Sequence, residues 1–130
     1  GLPDDDLRSM ENTFQMAVEL NCEFANFYSA MAYPGSKLYL MAVEKGLELP
    51  KKWHHYSQHG YETLPLATDY VPAREVLRFR DEAFRRYFTG NRYLNLVRQK
   101  FGEKAVHHIQ RMTSIRLRRK ILEEAQVVVG

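Results

Sequence analysis

The ten residues from Glu23 to Ala32 constrain this chain more than any others. Phe24, Ala25, Phe27, Tyr28, Ala30 and Met31 make them a nearly continuous apolar and aromatic run, which stops at Tyr33-Pro34-Gly35-Ser36. A short apolar run closed by a turn tetrapeptide reads as a buried parallel strand over 24–32, although the same length suits a buried helical segment. A single strand cannot satisfy its own backbone N–H and C=O groups, so its parallel neighbour is expected outside this chain. Failing that, the strand is expected to be frayed or rearranged.

The rest of the sequence carries helical signals. Asp4-Asp5-Asp6 supplies carboxylates to cap a helix whose apolar face is Leu7, Met10, Phe14, Ala17 and Val18, with Asn21 as its stop. A short helix over Lys37–Lys45 ends at Gly46, a residue suited to the left-handed conformation. Pro72 suits the first turn of a helix faced by Val76, Phe79, Ala83, Phe84, Tyr87 and Phe88, and Thr89-Gly90-Asn91 breaks it. A further helix runs from Arg92 to Phe101 and closes at Gly102. The last is expected from Glu103 to about Glu124 through Val106, Ile109, Met112, Ile115 and Leu122, with Val127-Val128-Val129-Gly130 as a frayed tail. The fold expected is mainly α, three to five amphipathic helices with one or two short strands. It divides into residues 1–46, an aromatic and His-rich connection over 47–71, and a helical part over 72–130.

Composition narrows the function classes. One cysteine in 130 residues excludes an internal disulfide, and it excludes an iron–sulfur cluster or Cys-rich zinc site held by this chain alone. It also fits a reducing, cytoplasmic setting, with Cys22 itself a small buried residue. No apolar run approaches the roughly 18 to 20 residues of a membrane span, and the opening Gly1-Leu2-Pro3 has neither an initiator Met nor a signal-peptide pattern, as in a piece of something longer. Charge is unevenly divided: residues 1–65 hold 5 Lys/Arg against 9 Asp/Glu, and residues 66–130 hold 14 against 7. Arg78/Glu82, Asp81/Arg85 and Glu82/Arg86 have the spacing of ion pairs along one helix. Arg111, Arg116, Arg118, Arg119 and Lys120 are less compensated, and they form the better contact for an anionic partner.

Candidate chemistry is sparse. His55 and His59, with His54 nearby, have the two-His half of a zinc site but no evident third ligand, so no metal ligand set is assigned. His107-His108 reads as helix surface, and Asp4–Asp6 as capping groups. No phosphate loop, nucleophile elbow or Ser/His/Asp ordering is visible, and no catalytic residue is assigned.

Three stretches go beyond composition. These are Gly1-Leu2-Pro3-Asp4-Asp5-Asp6, Phe27 to Tyr39 with its Tyr33-Pro34-Gly35-Ser36 turn, and Tyr56-Ser57-Gln58-His59 followed by Glu75 to Phe84. In this order they resemble the carboxyl-terminal part of cobalamin-binding radical S-adenosylmethionine enzymes. The third stretch resembles the extension of the subgroup named after magnesium-protoporphyrin IX monomethyl ester oxidative cyclase. The resemblance implies the cut-out end of a (β/α) barrel, its last elements in residues 1–46, plus a helical extension. Gly1, Leu2, Pro3, Tyr33, Pro34 and Gly35 would then lie at the S-adenosylmethionine pocket, where glycine lets the main chain approach a ligand. Trp53, Tyr56, His59 and Tyr61 would cover substrate or cobalamin. The parent's cofactors would be S-adenosylmethionine, a [4Fe-4S] cluster and cobalamin, none bound by this chain alone. Its reaction would be methyl transfer or oxidative cyclisation at an unreactive carbon of an unknown small molecule. The family's Cys-x-x-x-Cys-x-x-Cys motif is absent here, so the chain is expected to be inactive alone and to partner the cobalamin-binding and radical core of its parent. Exposed barrel-facing surface would favour a homodimer. The alternative is a non-enzymatic helical module whose basic last helix binds nucleic acid or an acidic protein. Nucleic acid is the less expected partner.

Overall fold

A computed structural model describes residues 1–127, and side chains through Glu124; the end of the expected tail, residues 128–130, lies outside the described residues. The first helix, α1 (Leu7–Leu20), starts where the acidic run provides a cap. The Asp6 carboxylate accepts from the Ser9 N–H at 2.7 Å, and the Ser9 hydroxyl accepts from the Asp6 N–H at 3.0 Å, satisfying two donors that a helix start leaves open. Asn21, at φ 48°, ends it.

The tetrapeptide Tyr33–Ser36 closes as a turn, with Ser36 N–H donating to Tyr33 C=O at 3.1 Å and Gly35 at φ 88°, which a side chain would strain. Ser36 then caps α2 (Lys37–Glu44), accepting from Tyr39 N–H at 3.1 Å. Gly46 leaves the helix at φ 65°.

After the connection, Pro72 precedes α3 (Ala73–Phe88). Then come α4 (Asn91–Phe101) and α5 (Glu103–Ser114), separated by Gly102 at φ 81°. The principal core joins Phe14 of α1 to Ala83, Tyr87 and Phe88 of α3, Tyr93 and Val97 of α4, and Val106 of α5. Their aromatic rings, with Phe27 and Phe84 packed against them, meet at 4.9–6.0 Å in tilted and edge-on geometries. A smaller cluster, Ala32, Ala42 and Leu66, seats α2 against the connection.

The mainly-α expectation holds, and four local expectations are corrected. Residues 24–32 belong to no strand; they run extended with the alternation of one, Ala25, Phe27, Ser29 and Met31 turned inward and Phe24, Asn26 and Tyr28 exposed. Side chains and one backbone bond replace the missing ladder. Tyr87 and Tyr93 hydroxyls donate to the carbonyls of Cys22 (2.6 Å) and Glu23 (3.0 Å), and Arg80 Nε donates to Phe27 C=O (2.7 Å). The Gln58 amide bonds both N–H and C=O of Ser29 (3.0 and 2.9 Å), as a neighbouring strand would, and Leu66 N–H donates to Ala30 C=O at 3.1 Å.

The helix expected from Glu103 to Glu124 breaks at Ser114; Ile115 is extended, residues 115–119 belong to no helix, and α6 (Lys120–Val127) begins anew. No glycine or proline marks that break. Arg119 is drawn into a buried site, and Lys120 N–H donates to Tyr61 C=O at 2.9 Å, which anchors the new start on the connection.

Cys22 is exposed rather than buried, because α1 has already ended and its sulfur faces solvent while its carbonyl turns to Tyr87. Finally, the spaced charges on α3 choose other partners. Arg78 pairs with Glu75, Arg86 with Glu11 across the α1–α3 contact, and Asp81 with two arginines. None of the described helices is long and apolar enough to cross a membrane.

Candidate functional site

Charge in the interior converges on Asp81 of α3. Arg80 occupies the apolar side of its helix, one turn from Val76 and Ala83, so its guanidinium is carried inward with only 6% of the residue exposed. Arg119, at 2%, reaches the same place from the break between α5 and α6. Its Nε and one terminal nitrogen grip both Asp81 oxygens at 2.9 and 2.8 Å, and the other donors go to Gly60 C=O (2.8 Å), Gln58 C=O (3.0 Å) and the Thr63 hydroxyl (3.1 Å). Such a fork uses the geometry that distinguishes arginine from lysine. Arg80 adds a 2.8 Å bond to Asp81 and a 3.1 Å contact to His59 Nε2, where the imidazole accepts. Burial of that edge, then Arg80 and Arg119, push the His59 imidazole below its ordinary range and keep it neutral.

These groups tie four pieces of chain together: the extended stretch through Phe27, the connection through residues 58–63, α3, and the start of α6. Both Asp81 oxygens are engaged by guanidinium donors, which makes the residue a tether. On its outer side the network forms one wall of a cleft of about 670 Å³, whose other walls include Phe84, Ile115 and Leu122 with the exposed Arg85 and Arg116. The cleft is largely apolar and carries more arginines than carboxylates on its walls.

The residues expected at a cofactor pocket fall in two places. Gly1 lies against α3: a Cβ there would sit 2.6 Å from Val76 Cγ1, so packing already accounts for the glycine. Leu2 is exposed, and Pro3 C=O accepts from Asp69 N–H at 2.8 Å. Gly1 and Leu2 share a cleft of about 300 Å³ with residues 26–29, and Tyr33, Pro34 and Gly35 are not on its walls. Those three form the exposed turn before α2, where Tyr33 stacks on Tyr56 at 5.3 Å and 24°. Nothing lies within 4 Å of where a Gly35 Cβ would be.

The expected lid residues also divide. Trp53, 78% exposed, meets Tyr56 at 6.0 Å and so joins the Tyr33 group. His59 meets Tyr28 edge-on at 6.4 Å and belongs to the arginine network. Tyr61 lies beside Arg118 and donates to Glu123 at 2.9 Å; that carboxylate pushes its phenol up. The basic stretch is likewise mostly engaged, Arg118 with Glu123, Arg119 with Asp81 and Lys120 with Glu62.

Gln58, Arg80, Asp81 and Glu62 were not among the expected site residues. One signal was present for Arg80: a charge at the centre of the apolar stripe Val76, Leu77, Ala83, Phe84. Gln58 stood only within the Tyr56–His59 stretch, with no role attached.

Against known proteins, a 57-residue stretch, 44% of this chain, is 33% identical to a protein of Pyrococcus horikoshii described as an uncharacterized methyltransferase. The match spans 12% of that protein's length. No protein-family model matches the chain, and no solved structure does. The similarity is thus to a methyltransferase, over a minor part of a much longer chain.

Proposed function

We propose that this chain is the carboxyl-terminal part of a cobalamin-dependent radical S-adenosylmethionine enzyme acting in methyl transfer, in which it docks on the catalytic core and caps it. The observation that carries the reading is the outer edge of the extended stretch. Phe24, Asn26 and Tyr28 point outward, and their backbone N–H and C=O groups make no hydrogen bond among the described residues. An open, partly aromatic edge beside a fixed inner edge is what a strand presents to a neighbour. The methyltransferase similarity and the sequence motifs point the same way.

The Tyr33–Gly35 turn suits an adenine-bearing ligand, with a half-exposed ring already backed by Tyr56 and a glycine without steric cover. S-adenosylmethionine would supply the transferable methyl group or the oxidising chemistry. In this chain, Tyr33 would stack and the Pro34–Gly35 backbone would fix orientation. The [4Fe-4S] cluster does not fit: a single exposed cysteine cannot hold it, so the core would have to supply its thiolates.

The test is the coding sequence upstream of Gly1, followed by S-adenosylmethionine binding to the intact product. A Cys-x-x-x-Cys-x-x-Cys motif upstream, and binding weakened by Gly35→Val, are expected. A start codon immediately before Gly1 would refute the proposal, as would an upstream sequence without that motif.

A further inference from the structure

Away from the arginine network, three side chains of the connection aim ligand atoms at one another. His54 and His55 ride on the 3₁₀ turn Trp53–Tyr56, which is pinned at both ends: His55 N–H donates to Lys52 C=O, and Leu64 N–H donates to His55 C=O, each at 3.0 Å. That second bond brings the following segment back alongside, and Glu62 with it. One ligand atom from each of His54, His55 and Glu62 lies within 4.8 Å of the other two. Glu62 Oε2 is 2.8 Å from His54 Nε2 and 3.9 Å from His55 Nε2, while its other oxygen faces Lys120 Nζ at 3.3 Å. The carboxylate is therefore held with one oxygen toward the imidazoles. Beside it opens a cleft of about 240 Å³, with Glu48 and Glu124 on its walls, which gives water access to His55 and Glu62.

We propose that His54, His55 and Glu62 bind one divalent transition-metal ion of the zinc type, with water completing its coordination. Two imidazoles and one carboxylate form a nitrogen-rich set that suits zinc and disfavours calcium or magnesium, which take oxygen ligands. Ligands of a tetrahedral zinc sit about 3.3 Å apart, given bonds of about 2.0 Å. The observed 2.8 and 3.9 Å straddle that value, so small side-chain rotations bring the three to one ion. On binding, His54 Nε2 exchanges its hydrogen bond to Glu62 for the metal, and the ring proton sits on Nδ1. Lys120 opposes a dication and lowers the affinity. Sequence spacing suggested His55 with His59, but His59 faces Arg80, and Glu62 supplies the third ligand instead.

Titration of the 130-residue chain with zinc chloride by calorimetry tests this, with far-UV circular dichroism on every variant. The expected result is one zinc per chain, with binding weakened at least about tenfold by His54→Ala, His55→Ala or the isosteric Glu62→Gln, and unaffected by replacing His107 and His108 together. In the wild type, zinc should shift the His54 and His55 imidazole resonances and leave those of His107 and His108 in place. Absence of binding at about 100 µM zinc would overturn the proposal, as would affinity unchanged in both His55→Ala and Glu62→Gln. The outcome does not depend on the methyl-transfer reading, since no parent core or activity enters the assay.

Discussion

Replacing Arg119 by Met keeps most of the side chain's length and removes its five hydrogen bonds. The Asp81 carboxylate is left with Arg80 alone, the Gln58 carbonyl loses its donor, and the Gly60 carbonyl keeps only Thr63. Breaking one side of a buried ion pair costs about 3–5 kcal/mol, against a total stability of about 5–15 kcal/mol for a domain. For a chain of this size that corresponds to a fall in Tm of about 11–18 °C. Arg119→Lys keeps the charge and loses the fork, and is expected to recover about half of the loss. Urea and thermal unfolding followed by far-UV circular dichroism measure both variants. An Arg119→Met protein melting within about 3 °C of wild type would refute the argument that this network ties the four pieces of chain together.

Other perturbations test separate parts of the structure. Tyr87→Phe removes the donor to Cys22 C=O and should cost about 1 kcal/mol in urea, with faster amide exchange over residues 22–28. Glu11 is held down to about 2 by the bidentate Arg86 and by Gln15. Its folded value lies below its unfolded one, so the contribution is present above the usual carboxylate range near pH 4.5 and is lost as pH falls toward 2. Because both partners are over a third exposed, Glu11→Gln should cost under about 1 kcal/mol at neutral pH, and its melting difference from wild type should vanish at the acid end. His59 should titrate below the ordinary imidazole value of 6.5 in a proton NMR titration and move upward in Arg80→Met. Gly35→Ala, forced to φ 88°, should lower stability by about 1 kcal/mol.

Helix ends were legible because they depend on near neighbours. The Asp6 cap, the Asn21 stop, Ser36 before α2, Gly46 after it, Pro72 before α3 and Gly102 between α4 and α5 all follow from one or two residues in sequence. What distance in sequence decides was not legible. The apolar run at 24–32 suited a strand and a buried helix alike, and the groups that hold it, Gln58, Leu66 and Arg80, with Tyr87 and Tyr93 on the carbonyls of Cys22 and Glu23 just before it, are announced by no local pattern. The break at Ser114 has no glycine or proline because its cause is Arg119 reaching an aspartate 38 residues earlier. The candidate site was legible in part: the aromatic and His-rich connection was singled out, but the division of its rings between Tyr33 and the arginine network was not.

The tyrosines and the arginine that hold residues 22–27 have a consequence for how the chain is made. A ribosome delivers the extended stretch first, and Arg80, Tyr87 and Tyr93 follow 53, 65 and 70 residues later. Until they emerge, an apolar stretch with unpaired carbonyls waits in the nascent chain, where it is open to chaperones and to aggregation. Its docking is thus a late step in vectorial folding, set by the synthesis of α3 and α4. A message truncated within α3, before Tyr87, would release a product unable to hold this stretch in place.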